Sequence, residues 1–209
     1  MKKYFVILFL IALAIFISGC IGFLTTPGED SIVPGKGILK IYLTDSSGEY
    51  KAGDDENYLA VYITISKIEA HIAGEDGVAE GYWDVLKEWD EGDEVEIDLI
   101  DLKEQGISLL LSENELIPNK YTQLRIFVIK ASVLIEPKSK ENKLIEVRTN
   151  GEPVEIPSGD QTGIKLIHPF EIIEGETTEL TIDFDAGESI VKTGNESYKL
   201  KPVIKIVTG

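Results

Sequence analysis

From Gly37 onward the chain alternates apolar and polar residues with a period of two, and turn-forming residues break the alternation at short intervals. Leu39, Ile41 and Leu43 fall on one face of a first strand, with Lys40, Tyr42 and Thr44 on the other, as expected of a strand buried on one side only. Leu180, Ile182 and Phe184 repeat the pattern late in the chain, opposite Glu179, Thr181, Asp183 and Asp185. The same reading places strands near 58–72, 81–85, 94–100, 121–136, 143–148, 163–173 and 198–207. About eight or nine strands with no amphipathic helices between them predict an all-β fold, an antiparallel β-sandwich. One short segment reads as helical, Leu102 to Glu115, where Ile107, Leu109, Leu110 and Leu111 crowd together before Pro118. It is too short to form a layer and is expected to cap one end of the sandwich.

Two long strands lose phase at matching points. Val61, Ile63 and Ile65 give way, after Ser66 and Lys67, to Ile68, Ala70 and Ile72; Leu124, Ile126 and Val128 give way, after Ile129 and Lys130, to Ala131, Val133 and Ile135. A slip of one residue turns side chains to the wrong face, so each strand is expected to carry a bulge or bend that restores register; the alternative is burial of both faces without a bulge. Pro202 lies inside the last alternating run, Tyr198, Leu200, Ile204 and Ile206. Lacking an N–H, it places that strand at an edge or at a bulge.

Before the domain stands a different pattern. Lys2 and Lys3 precede an unbroken apolar run from Tyr4 to Ile17, followed by Ser18, Gly19 and Cys20. This is the layout of a signal peptide. Fourteen residues reach roughly 21 Å as a helix, short of the ~30 Å hydrocarbon core. Ile17-Ser18-Gly19-Cys20 resembles the lipobox of prokaryotic lipoproteins, and Cys20 is the only cysteine in the chain. The expected organisation is a signal peptide over 1–19, a lipidated Cys20 with a flexible tether through 36, and the sandwich over 37–209. Two acyl chains on Cys20 would give stable membrane anchoring where one gives only marginal binding, and the domain would work on the extracytoplasmic side.

Composition narrows the partners. Of 209 residues, 20 are Lys or Arg and 37 are Asp or Glu, a net charge of −17 that repels phosphate backbones, so no nucleic-acid partner is expected. One cysteine and two histidines cannot supply a structural zinc site. His71 and His168 stand in no nucleophile, zinc or phosphate-loop motif.

Three sets of residues are candidates for binding. Acidic side chains crowd between Glu88 and Glu94, and Asp90, Glu91 and Asp93 there, together with Asp183 and Asp185 at i and i+2 of a strand, are candidate oxygen ligands for calcium. The alternative is solvated surface, with Asp183 and Asp185 paired to Lys192, Lys199 or Lys201. Tyr82, Trp83 and Trp89 sit in a stretch otherwise rich in Gly, Asp and Glu, where exposed aromatics would stack on sugars or anchor a protein interface; packing over the sandwich edge is the other reading. Asn195-Glu196-Ser197 is an N-glycosylation acceptor in a turn.

Several motifs occur in order: Leu43-Thr44-Asp45, Tyr62-Ile63-Thr64-Ile65, Asp98-Leu99-Ile100-Asp101-Leu102, Lys120 to Arg125, Pro157 to Leu166, Asp183-Phe184-Asp185-Ala186 and Lys201-Pro202-Val203-Ile204-Lys205. Together they resemble an envelope lipoprotein domain family of unknown function found in bacteria and archaea, over roughly 37 to 207. The resemblance implies a surface or periplasmic lipoprotein with a β-sandwich and brings no catalytic residue. The leading expectation is a lipid-anchored, non-catalytic binding or structural module whose partner is a surface glycan or an envelope protein. The rival is a carbohydrate-acting hydrolase with a carboxylate pair in the loops of Gly74 to Glu94, an insert relative to that family.

Overall fold

The computed structural model describes residues 35–208 apart from 47, 49, 54–55, 75–79, 136–151, 158–161 and 195–196. The elements are β1 (Gly37–Thr44), β2 (Lys51–Gly53), β3 (Glu56–Ile72), β4 (Tyr82–Glu88), β5 (Val95–Asp98), α1 (Leu99–Gln105), β6 (Leu109–Leu116), β7 (Asn119–Ile135), β8 (Glu152–Glu155), β9 (Ile164–Ile172), β10 (Thr177–Phe184), α2 (Ala186–Ser189), β11 (Ile190–Lys192), β12 (Tyr198–Leu200) and β13 (Ile204–Thr208). Among the described residues they form an all-β sandwich of two sheets. A 4-stranded sheet runs β13-β10-β1-β6; a 9-stranded sheet runs β11-β12-β8-β7-β3-β2, with β4 and β5 also on β3 and β9 also on β7.

The alternating residues make the core. Leu39, Ile41, Leu43, Leu180, Ile182 and Phe184 from the smaller sheet are buried in one cluster with Val61, Ile63, Ile65, Ile68, Ala70 and Ile72 of β3 and Leu124, Ile126, Val128, Ala131 and Val133 of β7. Both phase slips are bulges, and they face each other. β3 and β7 are antiparallel neighbours; Thr64 pairs Lys130, Ile65 pairs Val128 and Lys67 pairs Phe127, so Ile129 on one strand and Ser66 on the other are extra residues. Each bulge alone would put the rest of its strand out of phase; opposed, they return both strands to the core together.

The flanking strands break at the same level. β5 pairs Tyr62 to Ile65 and β4 pairs Lys67 to Ile72, so these two strands line one edge of β3 in succession. The residues between them loop out opposite Ser66, whose carbonyl accepts the Trp89 N–H at 3.0 Å. On the far edge of β7, β9 pairs Asn119 to Ile126 and β8 pairs Ser132 and Val133.

Some expectations are corrected. The helix runs Leu99–Gln105, not Leu102 to Glu115. Asp98 caps its N-terminus by accepting the Ile100 N–H, and Gly106 ends it at φ 63°, a left-handed conformation that glycine adopts without strain. Leu109–Leu116 is strand β6, antiparallel to β1, with a bulge opposite Ile41 and Tyr42 that lets both Leu111 and Ser112 be buried. The crowded leucines therefore follow a bulged strand, not a helical stripe. A second helix, α2, is capped by Asp185. Two pairings are parallel, β1 with β10 and β8 with β12. β1 and β10 come from opposite ends of the domain, and the chain between them serves as the crossover that parallel pairing requires. The run around Pro202 is divided: β12 joins the larger sheet and β13 forms an edge of the smaller, with Pro202 in the connection. The strand expected at 143–148 lies outside the described residues.

Candidate functional site

The outward face of the upper half of the larger sheet, β4-β3-β7-β9, is not a plain polar surface. Trp83, His71, Gln123 and Ile167 are in register across the four strands, and Val85, Glu69, Arg125 and Lys165 form the next row. Registered neighbours share a face.

Glu69 is only 7% exposed. A buried carboxylate is tolerated when paired, and Glu69 has two cations, Lys67 Nζ at 2.9 Å and Arg125 Nη1 at 3.2 Å. Aromatic rings hold both: Arg125 Cζ lies 3.7 Å from the centroid of Trp83, and Lys67 Nζ lies 4.2 Å from that of Phe127, both within cation–π range. His71 meets Trp83 edge-on at 5.1 Å and shares a 2.8 Å hydrogen bond between Nδ1 and Thr122 Oγ1. Gly163 closes the cluster at φ +66°, where a Cβ would stand 2.5 Å from Arg125 Cγ. Around this fixed centre are exposed aliphatics, Val85 at 49% and Ile167 at 83%.

Among the three aromatics singled out above, Trp83 belongs to this face and has one ring face occupied by Arg125. Tyr82, 54% exposed, is its neighbour in β4 and points to the opposite side of the strand. Trp89 lies past the end of β4, packs partly buried against the core and has Lys87 Nζ 5.4 Å from its ring. The three do not form one patch. Glu69 and Arg125 were missed in the sequence; the available signal was Lys67, Glu69 and His71 at alternate positions opposite Ile68, Ala70 and Ile72, with one of only two arginines on the other long strand.

The acidic candidates separate as well. Asp90, Glu91 and Asp93 are exposed in the loop between β4 and β5, where the Asp93 N–H donates to the Asp90 carbonyl and the Gly92 N–H to Glu94 Oε2. Asp183 is 4% exposed and paired with Lys205 at 2.9 Å, not with Lys192, Lys199 or Lys201. It also accepts from the Ser46 N–H at 2.9 Å and from the Ser46 hydroxyl. Burial pushes its carboxyl up, but the Ser46 and Lys205 hydrogen bonds outweigh that and hold it below the ordinary carboxylate value. Asp185 lies past the end of β10 and caps α2 by accepting the Glu188 N–H. Among the described residues no group of three or more His, Cys, Asp or Glu is arranged to hold a metal ion. Cys20 and Asn195 lie outside the described residues.

Other motif residues hold the backbone together. Asp45, 3% exposed, accepts the Tyr50 hydroxyl at 2.9 Å, and Lys103 of α1 sits over the Tyr50 ring and donates to the Gly48 carbonyl. Asp98 accepts the Val61 and Ile100 N–H groups. His168 is half-buried where β9 and β7 lose register. No helix among the described residues is long and apolar enough to cross a membrane.

Fold and site together define a two-sheet β-sandwich domain with a cation–carboxylate–aromatic cluster on one sheet face. The chain belongs to the family of the domain of unknown function DUF4382, whose model matches residues 36–202. No curated protein and no solved structure is significantly similar to it.

Proposed function

We propose that the chain is an envelope lipoprotein, held on the extracytoplasmic side of the membrane by acyl chains on Cys20, and that its sandwich is a non-catalytic module binding another envelope protein. The Lys2-to-Cys20 layout supports the anchor. The observation that carries the binding role is the outward β4-β3-β7-β9 face. Its Trp83–Arg125–Glu69 stack is joined by a cation–π contact and an ion pair, and Val85 and Ile167 stand exposed on either side. Trp and Arg are enriched among the residues that dominate the energetics of protein interfaces, and the exposed aliphatics Val85 and Ile167 beside them suit a protein better than a polar sugar ring.

A photo-crosslinking residue at position 167 of the full chain in its native membrane tests the face. The expected result is a protein adduct that is lost when Trp83→Ala is added. Adducts no different from those at Glu179, exposed on the other sheet, or retention of a glycan in place of protein, would overturn it. For the anchor, Cys20→Ala should leave uncleaved precursor; an intact mass showing an unmodified Met1 terminus sinks it.

A further inference from the structure

Where β8 gives way to β9 along the edge of β7, the sheet is open. β8 leaves β7 after two residue pairs and lies parallel to β12, whereas β9 resumes pairing at Ile126. Between this break and the β11–β12 hairpin is a groove of about 300 Å³, at the lower end of the range for small-molecule sites. Ile156, Pro157 and Ile164 form one wall and Val191 and Pro202 the other, with the core residue Leu200 completing the lining. Proline at both walls fixes φ locally.

Its remaining lining residues are Lys199 and Lys201, on a chain of net charge −17. Lys199 Nζ is 3.4 Å from Glu155. Lys201 is exposed, and its ammonium has no partner among the described residues. An apolar slot with one uncompensated cation is complementary to a hydrocarbon ending in an anion.

We propose that this groove binds a small amphiphile with a single anionic group, its hydrocarbon between the two walls and its anion at Lys201. This site is separate from the outward β4-β3-β7-β9 face and stands whether or not that face binds protein.

The test uses the full chain in nanodiscs of neutral phosphatidylcholine, with methyl-labelled Ile, Val and Leu, titrated with hexanoate and with 1-hexanol. Hexanoate should shift the methyls of Ile156, Ile164 and Val191 with an affinity of about millimolar. Hexanol should bind more weakly. Lys201→Glu, at an exposed position, should weaken hexanoate about tenfold and leave hexanol within about twofold, since only the anion senses the rim charge. Methyls unmoved by hexanoate, hexanol binding as tightly as hexanoate, or hexanoate indifferent to Lys201→Glu would each overturn the proposal.

Discussion

Glu69, Asp98 and Asp183 are carboxylates that the fold takes partly or wholly out of water, each stabilised differently. Glu69 has two cations and Asp183 one cation and a serine, but Asp98 has only backbone amides. Burial pushes the Asp98 carboxyl up, and the amides of Val61, Ile100 and Asp101 only partly offset it, with the Asp101 charge adding to the rise. The folded state therefore holds the Asp98 proton more tightly, and its contribution to stability falls as pH rises through the window above 3.8. Asp98→Asn keeps an acceptor for the α1 cap and removes the buried charge, so it should be at least as stable as wild type at pH 7. Asp98→Ala should lose about 1 kcal/mol from the cap alone; urea melts of the two variants decide it. Asp183 has the opposite sign. Its lowered carboxyl contributes stability above the ordinary value of 3.8 that disappears as pH falls through the folded-state value. The gap in melting temperature between wild type and Asp183→Asn should be full at pH 6 and close in strong acid.

At the scale of elements, the opposed bulges of β3 and β7 organise the larger sheet. They return two 17-residue strands to the core and coincide with the breaks in both flanking edges. Ile129, 38% exposed, is the extra residue on β7. Its side chain carries little of the packing, while its presence sets the phase of Ala131 and Val133. Ile129→Ser should change stability by no more than about 0.5 kcal/mol, whereas deleting Ile129 should turn Ala131 and Val133 outward and prevent folding. Ile126→Ala, fully in the core, should fall between, at about 2 to 5 kcal/mol. Equal melts for the deletion and the serine variant would show that the register is not set there.

Over the whole molecule the dominant electrostatic fact is the charge of −17. Five carboxylates between Glu88 and Glu94 concentrate part of it in the loop that interrupts the β4–β5 edge. Calcium and sodium chloride of equal ionic strength should raise the melting temperature alike, because relief of mutual repulsion by screening depends on ionic strength and not on a bound ion. An ion bound to the folded state at a hundred times its Kd would add about 2.7 kcal/mol. A calcium-specific rise of several degrees, abolished by Asp90→Asn with Asp93→Asn, would establish a site in the loop.

The sheet faces and the core are legible in the sequence. Period-2 alternation is a local consequence of strand geometry, so Leu39 to Leu43, Val61 to Ile72 and Leu124 to Val133 could be assigned to the interior, and the phase slips at Ser66 and Ile129 located, without knowing any partner. The partners of each strand come from long-range pairing. The leucines after Gly106 read as helix until β1 is present to pair with them and a bulge accommodates two adjacent buried residues. The parallel β1–β10 pair joins segments more than a hundred residues apart, and no local signal encodes the direction in which they meet. Likewise Glu69, Arg125 and Trp83 belong to three strands, each unremarkable alone, and become a charged, ring-stacked cluster only when register sets them side by side. Alternation fixes which face a residue takes, and the long-range pairing fixes which residues share it.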